Sequence, residues 1–184
     1  EVTAKASKSY LPANNEKLRP RTIASVAQTK VERLATGIRE FDRVLGGGVV
    51  PGSLVLLGGT PGIGKSTILL DAGLRFGQQG IKVLYASGEE SEEQTAMRAV
   101  RLGGAQANDN LLILTATDLD AILAQANALK PQLLIIDSIQ TMYNPELQTA
   151  AGSVGQVREG TAKLPQFAKS TGIAVLLIGH GTKG

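Results

Sequence analysis

Leu54-Val55-Leu56-Leu57-Gly58-Gly59-Thr60-Pro61-Gly62-Ile63-Gly64-Lys65-Ser66-Thr67 is the stretch on which the reading of this chain turns. A branched apolar run stops at paired glycines, crosses a Gly-rich loop and enters Gly-Lys-Ser-Thr ahead of Ile68-Leu69-Leu70. From Gly59 to Ser66 it fits G-x-x-x-x-G-K-[ST] without substitution. Glycines let backbone N–H groups turn inward into an anion cradle along the loop Gly59, Thr60, Pro61, Gly62, Ile63 and Gly64, in which Pro61 itself has no N–H to give. The helix that begins near Lys65 points its positive end at the same place. Lys65 can reach the outer phosphates, Thr67 lies beside them, and the Ser66 hydroxyl suits Mg²⁺. A chance Gly-rich turn is the competing reading. A strand before and an apolar helix after argue against it, so the stretch predicts an ATP or ADP site with Mg²⁺.

Working outward, apolar segments alternate with amphipathic ones. Strands are predicted over 54–59, 82–87, 111–115, 132–137 and 173–179, and helices over 65–79, 91–102, 118–129 and 154–170. Four of the strands are near-continuous Val, Ile and Leu, the mark of strands covered on both faces. The expected fold class is α/β, a mostly parallel central sheet flanked by helices. Gly80, Gly103-Gly104, Pro131 and Gly172 stand where helices should end. Ahead of the loop, residues 35–45 predict a short helix with Ile38, Phe41 and Leu45 on one face and Thr36 as its cap. Residues 1–33 lack either periodicity and read as a basic arm or linker, with the domain spanning 34–184.

Two acids mark further strand tips. Leu133-Leu134-Ile135-Ile136 leads into Asp137, which should emerge at the carboxyl edge where open α/β sheets bind ligands. A carboxylate there suits Mg²⁺, although many buried strands simply end in a capping Asp. After strand 82–87 comes Ser87-Gly88-Glu89-Glu90-Ser91. Hydrolysis needs a group that positions or deprotonates water, and Glu89 fits, with Glu90 as the alternative. Glu92 and Glu93 fit instead the dipole preference of a helix's first turn. His180, the only histidine, follows strand 173–179 and could contact a γ-phosphate. The polar loop Asn144–Gly155 lies at the same edge with no stated ligand.

Composition narrows the classes. The chain has 184 residues, no Cys and no Trp, so disulfides and a thiolate zinc site are excluded within it. Residues 1–35 carry seven Lys/Arg against three Glu, a balance of +4, and the remainder of the +3 total is therefore −1. No apolar run approaches a membrane span and no signal peptide opens the chain, so a cytoplasmic protein without membrane contact is expected. The last predicted strand ends close to Gly184, and a sheet of this kind usually continues, which suggests a C-terminally incomplete core.

Together, Thr36–Gly48, Gly58–Thr67, Tyr85–Ser91, Ile135–Thr141, Gly152–Glu159 and Leu177–Lys183 resemble the RecA-like ATPases, and within them the bacterial RadA (Sms) DNA-repair family. The resemblance covers about residues 34–184. It implies a ring-forming, DNA-stimulated ATPase that binds single-stranded DNA, promotes branch migration and works beside a recombinase. By position it implies that Lys65, Ser66 and Thr67 hold phosphate and Mg²⁺, and that Asp137 is the metal carboxylate. It further makes Glu89 the activator of water, His180 the γ-phosphate sensor, and Asn144–Gly155 a DNA-facing loop, with Lys183 leading into a second. The family's four-cysteine zinc finger has no counterpart here. A KaiC-type regulatory ATPase or autokinase, or a nucleotide-dependent assembly module without turnover, shares many of these features.

Overall fold

Uninterrupted aliphatic strands lose their apolar surface to water unless a sheet is covered on both faces, and the computed structural model has this arrangement. It describes residues 20–28, 30–58, 63–103, 109–143 and 150–179. The chain divides into two units, Glu1–Val31 and Glu32–Gly184.

Within the first unit the described residues include a short helix, α1 (Ile23–Ala27), in the stretch that the sequence reading takes as a basic arm or linker. Local bonds rather than periodicity hold it. Thr22 Oγ1 accepts from the Ser25 N–H at 3.2 Å, and the Ser25 hydroxyl donates back to the Thr22 carbonyl at 2.9 Å. None of its residues is buried.

The second unit runs α2 (Arg39–Val44), β1 (Leu54–Leu57), α3 (Ile63–Gln78), β2 (Val83–Ser87), α4 (Glu92–Arg101), β3 (Leu111–Thr115), α5 (Leu119–Leu129), β4 (Leu133–Asp137), α6 (Val154–Thr171) and β5 (Ala174–Ile178). A 3-10 turn, Ile139–Thr141, follows β4. The sheet order is β1-β5-β4-β2-β3 and every pair is parallel. The predicted strands are present, 111–115 with the same bounds and the others shorter at their ends: Gly58, Lys82, Gln132, Ile173 and Gly179 flank the ladder without belonging to it.

Successive side chains alternate between faces. Leu84, Ala86, Leu134, Ile136, Val175 and Leu177 meet α5 and α6 through Leu119, Ile122, Leu164 and Ala168. Val83, Tyr85, Leu133, Ile135, Ala174 and Leu176 meet α2 and α3 through Phe41, Leu69, Leu70 and Phe76. A six-residue helix such as α2 does not persist alone in water. Burying Phe41, worth about 1.5–3 kcal/mol for a side chain taken fully from water, fixes it to the sheet. Ile38 and Leu45 pack on the same cluster, as their spacing predicts.

Thr36 is not the cap of this helix. Ile38 is at the N-cap and has no capping side chain. Asp42 instead reaches back: Oδ1 accepts from the Thr36 N–H at 2.8 Å and its hydroxyl at 2.7 Å, and Oδ2 accepts from the Gly37 N–H at 2.9 Å. A carboxylate with two oxygens satisfies more orphan donors than one hydroxyl can. Beside it, Gly48 has φ +142°, and a Cβ there would stand 2.5 Å from the Leu34 carbonyl oxygen. This close approach allows the Leu34–Val49 bridge that leads into β1.

Register brings the strand ends level. Leu57 pairs with Ile178, Ile178 with Asp137, Asp137 with Ser87 and Ser87 with Thr115. The chain leaves β1 over one face of the sheet and β4 over the other, the topology that opens a ligand crevice at the carboxyl edge. At the sheet's margin β1 pairs only with β5 among the described strands, and Leu56 is 58% exposed.

Candidate active site

Gly64, Lys65, Ser66 and Thr67 lie in the first turn of α3, which starts at Ile63. Gly59, Thr60, Pro61 and Gly62 lie outside the described residues, as do His180, Lys183 and residues 144–149 of the loop that follows β4. The remaining predicted residues come together. Ser66 Oγ donates to Asp137 Oδ2 at 2.5 Å, across 71 residues of sequence. Four buried aliphatics position β4, so its last residue, half-buried Asp137, is delivered to the edge beside the start of α3. With its one proton committed to Asp137, the Ser66 oxygen keeps its lone pairs for a cation.

This pair fits magnesium. Both donors are hard oxygens, and Mg²⁺ is usually held by one or two protein oxygens together with nucleotide phosphates and water. Among the described residues no cluster of three His, Cys, Asp or Glu side chains could hold a metal without such a nucleotide. The hydroxyl–carboxylate pair therefore suits a metal that arrives with phosphates.

Two participants have no counterpart in the motif reading. Tyr85, 0% exposed, points from β2 toward α3, and its hydroxyl donates to Asp137 Oδ2 at 2.8 Å and lies 3.2 Å from Ser66 Oγ. Arg98 on α4 donates through Nη2 to the Tyr85 hydroxyl at 3.3 Å and to Glu90 Oε1 at 2.5 Å. Burial first, then the adjacent Asp137 charge, push the Tyr85 phenol well above its ordinary value, so it stays a proton donor. Burial works against the Arg98 charge, but Tyr85 and Glu90 outweigh it and the guanidinium is held above its usual value. Tyr85 sits two residues before Ser87, and Arg98 falls on the α4 face that looks back at β2. Only the adjacency of β2 and β4 brings Tyr85 to Asp137.

The Glu89-Glu90 pair is sorted by its surroundings. Ser87 Oγ accepts from the Glu90 N–H at 3.2 Å and Thr115 Oγ1 donates to the Glu90 carbonyl at 3.1 Å, closing a tight turn after β2. Glu90 is ion-paired with Arg98, whereas Glu89 is exposed at the turn's apex with no side-chain partner among the described residues. Ser91 then opens α4 with a capping box, and Glu92 and Glu93 fill the first turn as expected for the helix dipole.

A largely apolar cavity of about 260 Å³ is lined by Lys65 with Ile38, Glu40, Phe41, Val44, Leu57 and Ile68. Val154 and Arg158 at the start of α6 are exposed, after Ser153 caps it by accepting from the Gln156 N–H. No described helix is long and apolar enough to cross a membrane.

Comparison with known proteins agrees with this geometry. The family model described as "AAA domain" matches residues 19–184. The chain is 48% identical over 183 residues to the DNA repair protein RadA of Halalkalibacterium halodurans, spanning 100% of this chain and 40% of that protein. It is 47% identical over 180 residues to the Streptococcus pneumoniae protein of the same name, spanning 98% and 42%. For the Escherichia coli protein, identity is 49% over 161 residues, spanning 88% and 34%. The chain thus spans well under half the length of these relatives. In structure it resembles a KaiC-like protein from Pyrococcus horikoshii, with TM-score 0.68 and 22% identity, covering 84% of this chain and 73% of the other. That likeness carries the RecA-like fold and nothing further.

Proposed function

The chain belongs to the AAA domain family, as an ATPase core of the bacterial RadA type, and from that premise we propose that it hydrolyses ATP and couples hydrolysis to single-stranded DNA. The carrying observation is the 2.5 Å bond between Ser66 and Asp137 at the row of strand ends that also bears Glu89's turn. A phosphate-loop hydroxyl, a second-strand carboxylate and a free glutamate on one edge form the donor set that ATP hydrolysis needs.

In the proposed reaction the phosphate loop and Lys65 would hold the β- and γ-phosphates, while Ser66 and Asp137 would hold Mg²⁺. The ion, when bound, would neutralise charge building on the β–γ bridge. Glu89 orients a water and accepts its proton as the water oxygen bonds to the γ-phosphorus. The bond to the β-phosphate oxygen breaks and ADP leaves with that oxygen. His180 is proposed to report the state of the γ-phosphate. Residues 1–33 are proposed to be an arm ahead of the core at 34–184.

DNA binding, branch migration and ring assembly rest on the likeness to RadA proteins, whose printed description is DNA repair. A basic segment ahead of a near-neutral core is compatible with a polyanionic partner. The test measures ATP turnover of the full chain with and without single-stranded DNA, at low and raised salt. Stimulation at low salt that fades as salt rises supports the motor. A turnover indifferent to DNA, with no DNA retained at low salt, would leave an ATPase of the regulatory kind.

A further inference from the structure

We propose that Tyr85 and Arg98 are positioning residues that link the two carboxylate-bearing strand tips, fixing Asp137 for the magnesium–nucleotide and holding Glu90 aside so that Glu89 alone faces water. The inference rests on the ATPase reading and deepens it. Neither residue belongs to the phosphate loop or to the acids expected to act on substrate.

One Arg98 nitrogen, Nη2, serves both the Tyr85 hydroxyl and Glu90, and the hydroxyl in turn serves Asp137 and contacts Ser66. This chain of bonds joins α4, β2, β4 and α3. An aspartate at a strand end retains side-chain torsions that a metal ligand cannot be allowed, and preorganisation needs those torsions fixed by supporting bonds. Two donors converge on Asp137 Oδ2, whereas no donor among the described residues reaches Oδ1. The carboxylate is therefore held by one oxygen and open at the other.

The same bonds distinguish two adjacent glutamates, of which the sequence favours Glu89 and keeps Glu90 as the alternative. Glu90 is drawn to Arg98, and the Ser87 and Thr115 hydroxyls hold its backbone. Glu89 is left free.

Simple packing does not explain the arrangement. A buried tyrosine needs one partner for its hydroxyl, and this one donates to Asp137, accepts from Arg98 and touches Ser66. Arg98 also buries its Nε without a partner among the described residues. An unpaired buried donor is destabilising, and an aliphatic side chain would avoid that loss.

The experiment compares the full chain with Tyr85→Phe, Arg98→Gln and the double variant. It measures kcat, KM for ATP, the Mg²⁺ concentration giving half-maximal turnover, and the affinity of a fluorescent ADP in Mg²⁺ and in EDTA. Tyr85→Phe should lower kcat about tenfold, raise the Mg²⁺ requirement, and weaken ADP only when Mg²⁺ is present. Arg98→Gln should lower kcat with a smaller change in Mg²⁺ requirement. The double variant should be little worse than the poorer single one, because the residues act as a unit. A hydrolysing wild type whose variants keep kcat and Mg²⁺ requirement within about twofold would overturn the proposal. If wild type does not turn over ATP, the ATPase reading fails, while the Mg²⁺-against-EDTA affinities still decide the positioning role. Should Tyr85→Phe not fold, Arg98→Met substitutes for it: a side chain of similar length with no donor for the Tyr85 hydroxyl or Glu90 must still depress kcat, and unchanged kcat sinks the idea.

Discussion

Gly88 and Thr141 pack so closely that a Cβ on the glycine would stand 2.6 Å from the threonine Cβ. The contact joins the turn bearing Glu89 to the 3-10 turn after Asp137, and Thr141 is itself held by donating to the Ser138 carbonyl at 2.8 Å. Gly88→Ala must therefore displace one turn or the other. Overpacking of this kind costs about 1–3 kcal/mol, and turnover should fall further than stability accounts for. Thr141→Gly in the same chain, which removes that Cβ along with the hydroxyl, should recover part of the turnover loss, read by a steady-state rate beside a urea midpoint. No recovery would mean the two turns are not coupled.

Glu89→Gln should retain nucleotide affinity while turnover drops by roughly a hundredfold or more, as expected for loss of a water-activating group. Glu90→Gln removes half of an ion pair that is partly solvent-screened, so its direct energetic cost should be about 1 kcal/mol. Parallel rate and affinity measurements on the two variants decide which glutamate acts. A larger rate loss from Glu90→Gln would reverse the assignment.

Gly48→Ala should destabilise the fold by about 2 kcal/mol or more, since a Cβ meets the Leu34 carbonyl and the backbone lies in a region that L side chains avoid. Gly80, also at positive φ but with nothing within 4 Å of a Cβ, provides the comparison. Gly80→Ala should cost less. Denaturant unfolding of both variants ranks them.

Alkaline stability should reveal Tyr85. Its proton is retained in the fold above the ordinary value of 10.0, so the unfolded chain loses that proton first and binds fewer protons than the native state. Stability contributed by the neutral phenol is thus complete below pH 10 and declines as pH rises beyond it. Tyr85→Phe should flatten this part of the stability–pH curve. A slope identical in both chains would contradict the burial argument.

Asp137 was legible because an aliphatic run must be buried and its last residue must then surface at an edge. Gly80 and Gly172 were legible as helix ends, and both adopt positive φ. Tyr85 and Arg98 were not. Runs buried on both faces carry no mark of which strand lies beside which, and the phenol meets Asp137 only because β2, not β5 alone, flanks β4. The Thr36 cap failed because the helix opens two residues later, at Ile38, while the Thr36 hydroxyl accepts from the Ile38 N–H and donates to Asp42.

At the sheet's margin, β1 leaves a line of backbone donors and acceptors unpaired among the described strands, and Leu56, Val44 and Ile68 expose apolar surface nearby. Such an edge is a template on which another copy can add its own strand. Strand addition at this edge predicts self-association at high concentration that does not depend on nucleotide. Light scattering insensitive to ATP would identify that material, and a lysine at Leu56 should suppress it while leaving the crevice at the strand ends untouched.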